Sequence, residues 1–215
     1  MTTRILFVGN SFTGRNNLPD LLAQLVDAGG KGPLEWKLVS AGGASLRQHI
    51  NKGEVATLLN EERWDWVVLQ EQSTLPAKSP ARMADSVRDM SALIGGAGAR
   101  TVLYMTWARA DAPETQQAIS QAYADSGQQV GATVVPAGMA WQHCLTQEPH
   151  IVLHDTDGSH PTLAGSYLAA CAFYKVLFAG RAKKIPTLDI AVSPDEQTAL
   201  QECARQAVSA FAKGH

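Results

Sequence analysis

The chain has 215 residues, 45% of them hydrophobic, and a net charge of −2 at pH 7. That length suits one domain over residues 1–215 with a sizeable core. A near-neutral balance without a run of like charges excludes the basic footprint of nucleic-acid binding. No apolar stretch approaches a membrane span, so neither nucleic acid nor membrane is an expected partner.

The N-terminus, Met1-Thr2-Thr3-Arg4, runs at once into Ile5-Leu6-Phe7-Val8. This apolar run is too short for the h-region of a signal peptide. It reads as the first core strand, and a cytoplasmic protein is expected. Further strands are predicted in chain order: after Arg4 to Val8 come Glu35 to Val39, Trp66 to Leu69, Thr101 to Met105 and Thr133 to Val135. All are short and apolar on both faces, the pattern of a parallel sheet covered on both sides.

Helical spacing fills the gaps. Leu18 to Asp27 stops at Gly29-Gly30, and Ala81 to Ile94 stops at Gly95-Gly96. Pro113 to Val130 follows Asp111, which suits a capped start. Thr162 to Phe178 stops at Gly180. Pro194 to Ala212 opens on Ser193 as N-cap. This alternation predicts a doubly wound three-layer α/β/α sandwich with about five parallel strands. Ligands of such folds bind at the carboxyl ends of the strands.

Cys144, Cys171 and Cys203 are odd in number and far apart, so neither a disulfide framework nor a zinc knuckle follows. Cys171 lies in the apolar run Tyr167 to Phe178 and reads as a buried helix position.

Two segments could carry chemistry. After the first strand comes Gly9-Asn10-Ser11-Phe12-Thr13-Gly14. A serine on such a turn can be a nucleophile whose own N–H donates to an oxyanion, or it can simply cap a helix. No Gly-Lys-Ser/Thr follows, so the turn is not a phosphate loop. Late in the chain lies His154-Asp155-Thr156-Asp157-Gly158-Ser159-His160-Pro161. A carboxylate three residues before a histidine can hold Nδ1–H and leave Nε2 as a base. Alternatively, the aspartate caps the next helix. Nothing elsewhere completes a metal-ligand spacing, so no metal or other cofactor is expected.

Together these motifs resemble the SGNH (GDSL-like) hydrolases over nearly the whole chain. Gly9-Asn10-Ser11 is similar to their first block, usually Gly-Asp-Ser. Asp157-Gly158-Ser159-His160-Pro161 is similar to their last. The resemblance implies a flavodoxin-like SGNH fold, with Ser11 as nucleophile, His160 as general base and Asp157 as its orienter. It also implies an oxyanion hole from the backbone N–H groups of Ser11 and of Gly43 or Gly42, in Ser40-Ala41-Gly42-Gly43-Ala44-Ser45. The third block departs from the family. Where Gly-x-Asn-Asp is usual, this chain has Gln70-Glu71-Gln72-Ser73. Some carbohydrate acetylesterases of the superfamily carry Gln-Gly-Glu-Ser here, which points to Gln70 as the amide donor. The usual asparagine position points to Gln72. Gln70 is favoured slightly. A branch of the superfamily carries Gly-Asn-Ser and Gln-Glu-Gln-Ser together. The Gly-x-Ser-x-Gly elbow of α/β-hydrolases is missing from the chain.

The implied activity is that of a serine hydrolase acting on ester bonds, an acetylesterase for small acyl groups, with an acylated carbohydrate as the expected substrate. A thioesterase or lysophospholipase would need an apolar acyl groove, and no extra apolar lid segment is visible. A non-catalytic binding module, its oxyanion hole spoiled by the missing asparagine, is the alternative from another class. Trp107 and Arg109 follow the fourth strand. Trp107 either stacks on a sugar or caps the core, and Arg109 either meets a carboxylate or phosphate or is solvated. Trp36, Trp64 and Trp66 read as core. Trp141 and His143 lie in a helical run after the fifth strand. His49, His150 and His215 show no partner in sequence and default to surface or structural roles.

Overall fold

A computed structural model describes residues 2–179 and 184–214. Gly180 and His215, named above, lie outside these residues. Among the described residues five strands form one sheet in the order β2-β1-β3-β4-β5. They are β1 (Thr3–Gly9), β2 (Leu34–Ser40), β3 (Trp66–Leu69), β4 (Arg100–Tyr104) and β5 (Thr133–Val135), and every pairing is parallel. Met105, predicted as a strand residue, falls just past β4, where its N–H still donates to Val135 O at 3.1 Å.

The strands are apolar throughout because both faces are covered. Ile5 and Phe7 point into one core with Val68, Val102 and Tyr104, whereas Leu6 and Val8 point into the other with Val67, Leu69 and Leu103. Alternate residues face opposite sides of a strand, so a doubly covered strand must be hydrophobic at every position.

The helices are α1 (Ser11–Gly14), α2 (Leu18–Ala28), α3 (Leu46–Lys52), α4 (Glu54–Glu61), α5 (Leu75–Lys78), α6 (Pro80–Gly96), α7 (Gln116–Val130), α8 (Ala137–Gln147), α9 (Leu163–Leu177) and α10 (Pro194–Gly214). Buried residues of α2, α8, α9 and α10 join the first core, and those of α3, α4, α6 and α7 join the second. Trp64 is buried in the second core, and Trp36 and Trp66 pack against the first. Cys171 is buried in α9.

The expected long helices are present, and the short ones α1, α3, α4 and α5 are additions. Ser45 and Gln48 form a reciprocal capping box at the start of α3, a signal legible as Ser-x-x-Gln. Asp111 does not cap a helix. The segment instead opens with a 3₁₀ turn at Pro113–Thr115, and no side chain caps α7. Ser193 does cap α10, with its Oγ accepting from Glu196 N at 3.2 Å. Among the described residues no helix is long and apolar enough to cross a membrane.

Sheet order decides where a site can form. The chain leaves β1 for β2 on one side, and β3 lies on the other. Loops leaving neighbouring strands in opposite directions open a crevice at their carboxyl ends. The turn after β1 and the Gln70–Gln72 segment after β3 flank that crevice.

α9 carries the late histidine loop at its front. Its N-cap is Thr162, whose Oγ1 accepts from Gly165 N at 3.2 Å and donates to Val152 O at 2.7 Å. Thr162→Ala removes both bonds. It is expected to lower unfolding free energy by about 1 kcal/mol, measured by urea denaturation.

Candidate active site

The turn after β1 is built from side-chain amides. Asn10 is extended (φ −138°) and caps α1, its Oδ1 accepting from Phe12 N at 3.0 Å. The cap is therefore Asn10, and Ser11 is the first helical residue with its hydroxyl left free of capping. The other end of the Asn10 amide, Nδ2, donates to Ala44 O at 3.1 Å. An amide oxygen must face the N–H and an amide nitrogen must face the carbonyl, so the Asn10 orientation is unambiguous. An aspartate here could accept from Phe12 but could not donate to Ala44.

Gln70 braces the same turn. Its Oε1 accepts from Asn10 N at 2.9 Å and from Thr13 Oγ1 at 3.0 Å, and its Nε2 donates to Glu71 O. A Cβ on Gly9 would lie 2.6 Å from Gln70 Oε1, so the close approach of Gln70 requires glycine there. The carbonyl of Gly9 accepts from His49 Nε2 at 2.7 Å. His49, expected at the surface or in a structural role, is buried and structural. Burial lowers its pKa, which favours the neutral ring that donates through Nε2.

The late loop meets this turn directly. Ser11 Oγ lies 2.8 Å from His160 Nε2. His160 Nδ1 lies 2.5 Å from Asp157 Oδ2, and Asp157 Oδ1 accepts from Ser159 N at 2.9 Å and His160 N at 2.8 Å. The His160 hydrogen bonds, side chain first and backbone next, followed by that from Ser159 N, hold the Asp157 carboxyl well below the usual carboxylate range. An ionised Asp157 accepts Nδ1–H and leaves Nε2 with its lone pair toward the Ser11 hydroxyl. A hydroxyl, an imidazole and a carboxylate in this series can deprotonate the serine as it attacks. Asp157 does not cap α9, a role held by Thr162. Pro161 precedes the helix and bridges His154.

The loop is fastened from several sides. Trp107 Nε1 donates to Ser159 O at 3.0 Å, Ala110 N to Gly158 O at 2.8 Å, and Asn16 Nδ2 to Pro161 O at 3.0 Å. Arg15 pairs with Asp155 at 2.8 Å.

Two donors face no acceptor. Neither Ser11 N nor Gly43 N donates to any described residue. Gly43 has φ +64°, a left-handed conformation natural to glycine. Gly42 lies beside it with ordinary φ. Gln70, the favoured amide donor from sequence, is not available: it is fully buried and both ends of its amide are bonded within the protein. Gln72 is different. Its Oε1 accepts from Thr74 N at 2.9 Å and Leu75 N at 3.0 Å, which leaves Nε2 without an acceptor among the described residues.

Trp107 also departs from the sugar-stacking expectation. It is buried, with its ring 4.7 Å from Phe12 and 3.7 Å from Trp141 in a near-parallel stack. Its faces are filled by protein. Arg109 is exposed and lines a cavity of about 350 Å³ with Trp107, Pro113, Trp141 and His154. His150 is exposed, 3.8 Å from Glu148, and His143 lies on α8, where it lines a groove with Gln206 and Ala210 of α10. No group of three or more metal-ligating side chains is clustered among the described residues.

Neither a family model nor a curated protein sequence matches the chain. Solved structures do. A protein from Slackia heliotrinireducens assigned to the SGNH hydrolases is 31% identical with a TM-score of 0.71, over 82% of this chain and 100% of that one. A DUF4886 family protein from Bacteroides uniformis is 22% identical with a TM-score of 0.78, over 97% and 95% of the two chains. An acetylxylan esterase from Geobacillus stearothermophilus is 14% identical with a TM-score of 0.65, over 82% and 94%.

Two outcomes follow from this geometry. Asn10→Asp loses the donor to Ala44 O and places a carboxylate against a buried carbonyl. It is expected to lower stability by about 1–3 kcal/mol, read as a fall in the denaturation midpoint. The depressed pKa of Asp157 means that its stabilisation is complete above the unfolded value near ~4 and is lost as pH falls below it. The melting-temperature gap between wild type and Asp157→Asn is therefore expected to shrink between about pH 5 and pH 2.

Proposed function

This chain belongs to the SGNH hydrolase family, and from that premise we propose that it is a serine esterase that removes short acyl groups, acetyl above all, from hydroxyl-bearing substrates. The observation that carries the reading is the continuous chain from Ser11 Oγ through His160 to Asp157, at 2.8 Å and 2.5 Å.

In the proposed reaction His160 Nε2 takes the Ser11 proton as Oγ attacks the ester carbonyl. The carbonyl oxygen becomes an oxyanion between Ser11 N, Gly43 N and Gln72 Nε2. Each such donor is worth about 3 kcal/mol of transition-state stabilisation. Collapse of the tetrahedral intermediate expels the alcohol, which takes the proton from His160. Water then attacks the acyl-enzyme, with His160 again the base, and releases the acid and free Ser11. Asp157 stays ionised throughout and stabilises the imidazolium.

Similarity to acetylxylan esterases supports an acetyl group as the acyl part and a carbohydrate as the alcohol. With Trp107 buried, the exposed Arg109 is the better candidate for the alcohol side, where its guanidinium can hold hydroxyl or acidic oxygens. A binding module on the same fold would have no need of an imidazole oriented between a carboxylate and a serine, and the aligned series favours the enzyme.

Wild type is expected to hydrolyse p-nitrophenyl acetate, with kcat/KM falling as the acyl chain lengthens. Ser11→Ala is expected to lose about 10⁴-fold or more in kcat. Equal rates for the two proteins contradict the proposal.

A further inference from the structure

Glu71 sits between the two glutamines and takes no part in the reaction as proposed. Its side chain is buried, with only 1% of the residue exposed. One carboxyl oxygen, Oε1, accepts from Leu46 N at 3.0 Å and from Gln72 N at 2.7 Å. The other, Oε2, is buried with no hydrogen-bond partner among the described residues. Burial raises the pKa of the group, opposed by the Gln72 and Leu46 N–H bonds and by the charges of Arg82 and Arg47.

A buried carboxyl with an empty oxygen is a poor stabiliser. No described residue pairs with Oε2, and a well-packed apolar side chain would avoid burying it. Unsatisfied groups of this kind call for an explanation other than packing. The two bonds that Oε1 does make supply one. Leu46 is the first residue of α3, three residues beyond Gly43, and Gln72 is the residue whose amide remains free to donate. One oxygen thus spans the start of α3 and the segment after β3, tying the loop of one proposed oxyanion donor to the backbone of another. Asn10 ties the loop between β2 and α3 to the Ser11 turn through Ala44 O. Glu71 and Asn10 thus link the loops of all three donors, and the bond from Asn10 N to Gln70 Oε1 closes the ring.

We infer that Glu71 is a positioning residue that sets the spacing of the oxyanion donors by accepting from Leu46 N and Gln72 N with a single oxygen. The inference rests on the esterase reading. It requires an acceptor at that point, but neither the negative charge nor the second oxygen.

Glu71→Gln keeps the acceptor oxygen, and Glu71→Met keeps the volume without it. The pair is compared by kcat and KM on p-nitrophenyl acetate, with Ser11→Ala as the blank and folding checked by circular dichroism. E71Q is expected within about fivefold of wild type in kcat. E71M is expected to lose about a hundredfold in kcat with KM nearly unchanged, the loss typical of one misplaced oxyanion donor. E71M equal to E71Q, or a loss confined to KM, overturns the inference. If E71M does not fold, E71Q decides alone: a hundredfold loss in a folded E71Q overturns it, and retention within fivefold sustains it. A wild type no faster than Ser11→Ala removes the esterase reading itself, which none of the Glu71 outcomes does.

Discussion

The site depends on one side-chain amide used in both directions. Asn10 accepts from Phe12 N with its oxygen and donates to Ala44 O with its nitrogen. The first bond starts α1 so that Ser11 is its first residue. The second binds the Ser11 turn to the loop after β2. No other residue type of that length offers a donor and an acceptor on one planar group. The family's usual aspartate would give the first bond and lose the second.

Around that amide the crevice is held by long-range polar contacts and by one aromatic stack between its two halves. Gln70 braces Asn10 N and Thr13 Oγ1 from just beyond β3, and His49 braces Gly9 O from α3. On the other side, Trp107, Ala110 and Asn16 hold the Asp157–His160 loop. Phe12 and Trp107 stack between the two halves at 4.7 Å, with Phe12 also edge-on to the His160 ring at 5.7 Å. The serine and the histidine are 149 residues apart in sequence. Their 2.8 Å contact rests on these clamps at both ends. Preorganisation of this kind suits acyl transfer, where donors must stand ready before charge develops.

How much of this the sequence carried depends on how local each signal is. The five strands were legible because a doubly covered strand is apolar at every position, and their bounds differ from the observed ones by about one residue. Ser11, Asp157 and His160 stood out because each lies in a short motif whose geometry is set within a few residues. Gln70 and Gln72 could not be told apart, because the partners that occupy Gln70 are Asn10 and Thr13, some sixty residues earlier. Trp107 was undecided for the same reason: its burial is set by Phe12 and Trp141, neither adjacent to it in the chain. His49 looked unpartnered because its acceptor is a backbone carbonyl, which leaves no mark on sequence. The short helices α3 and α4 lack the length for a clear apolar period, although the Ser45–Gln48 box was there to be read.

The most direct measurement is a crystal structure of the protein after reaction with a small alkyl fluorophosphonate, which mimics the tetrahedral intermediate on a nucleophilic serine. The expected adduct is on Ser11 Oγ, with its phosphoryl oxygen about 2.7–3.1 Å from Ser11 N, Gly43 N and Gln72 Nε2 and with the Gln70 amide still bonded to Asn10. An unmodified Ser11, or a phosphoryl oxygen directed away from these three donors, would contradict the assignment.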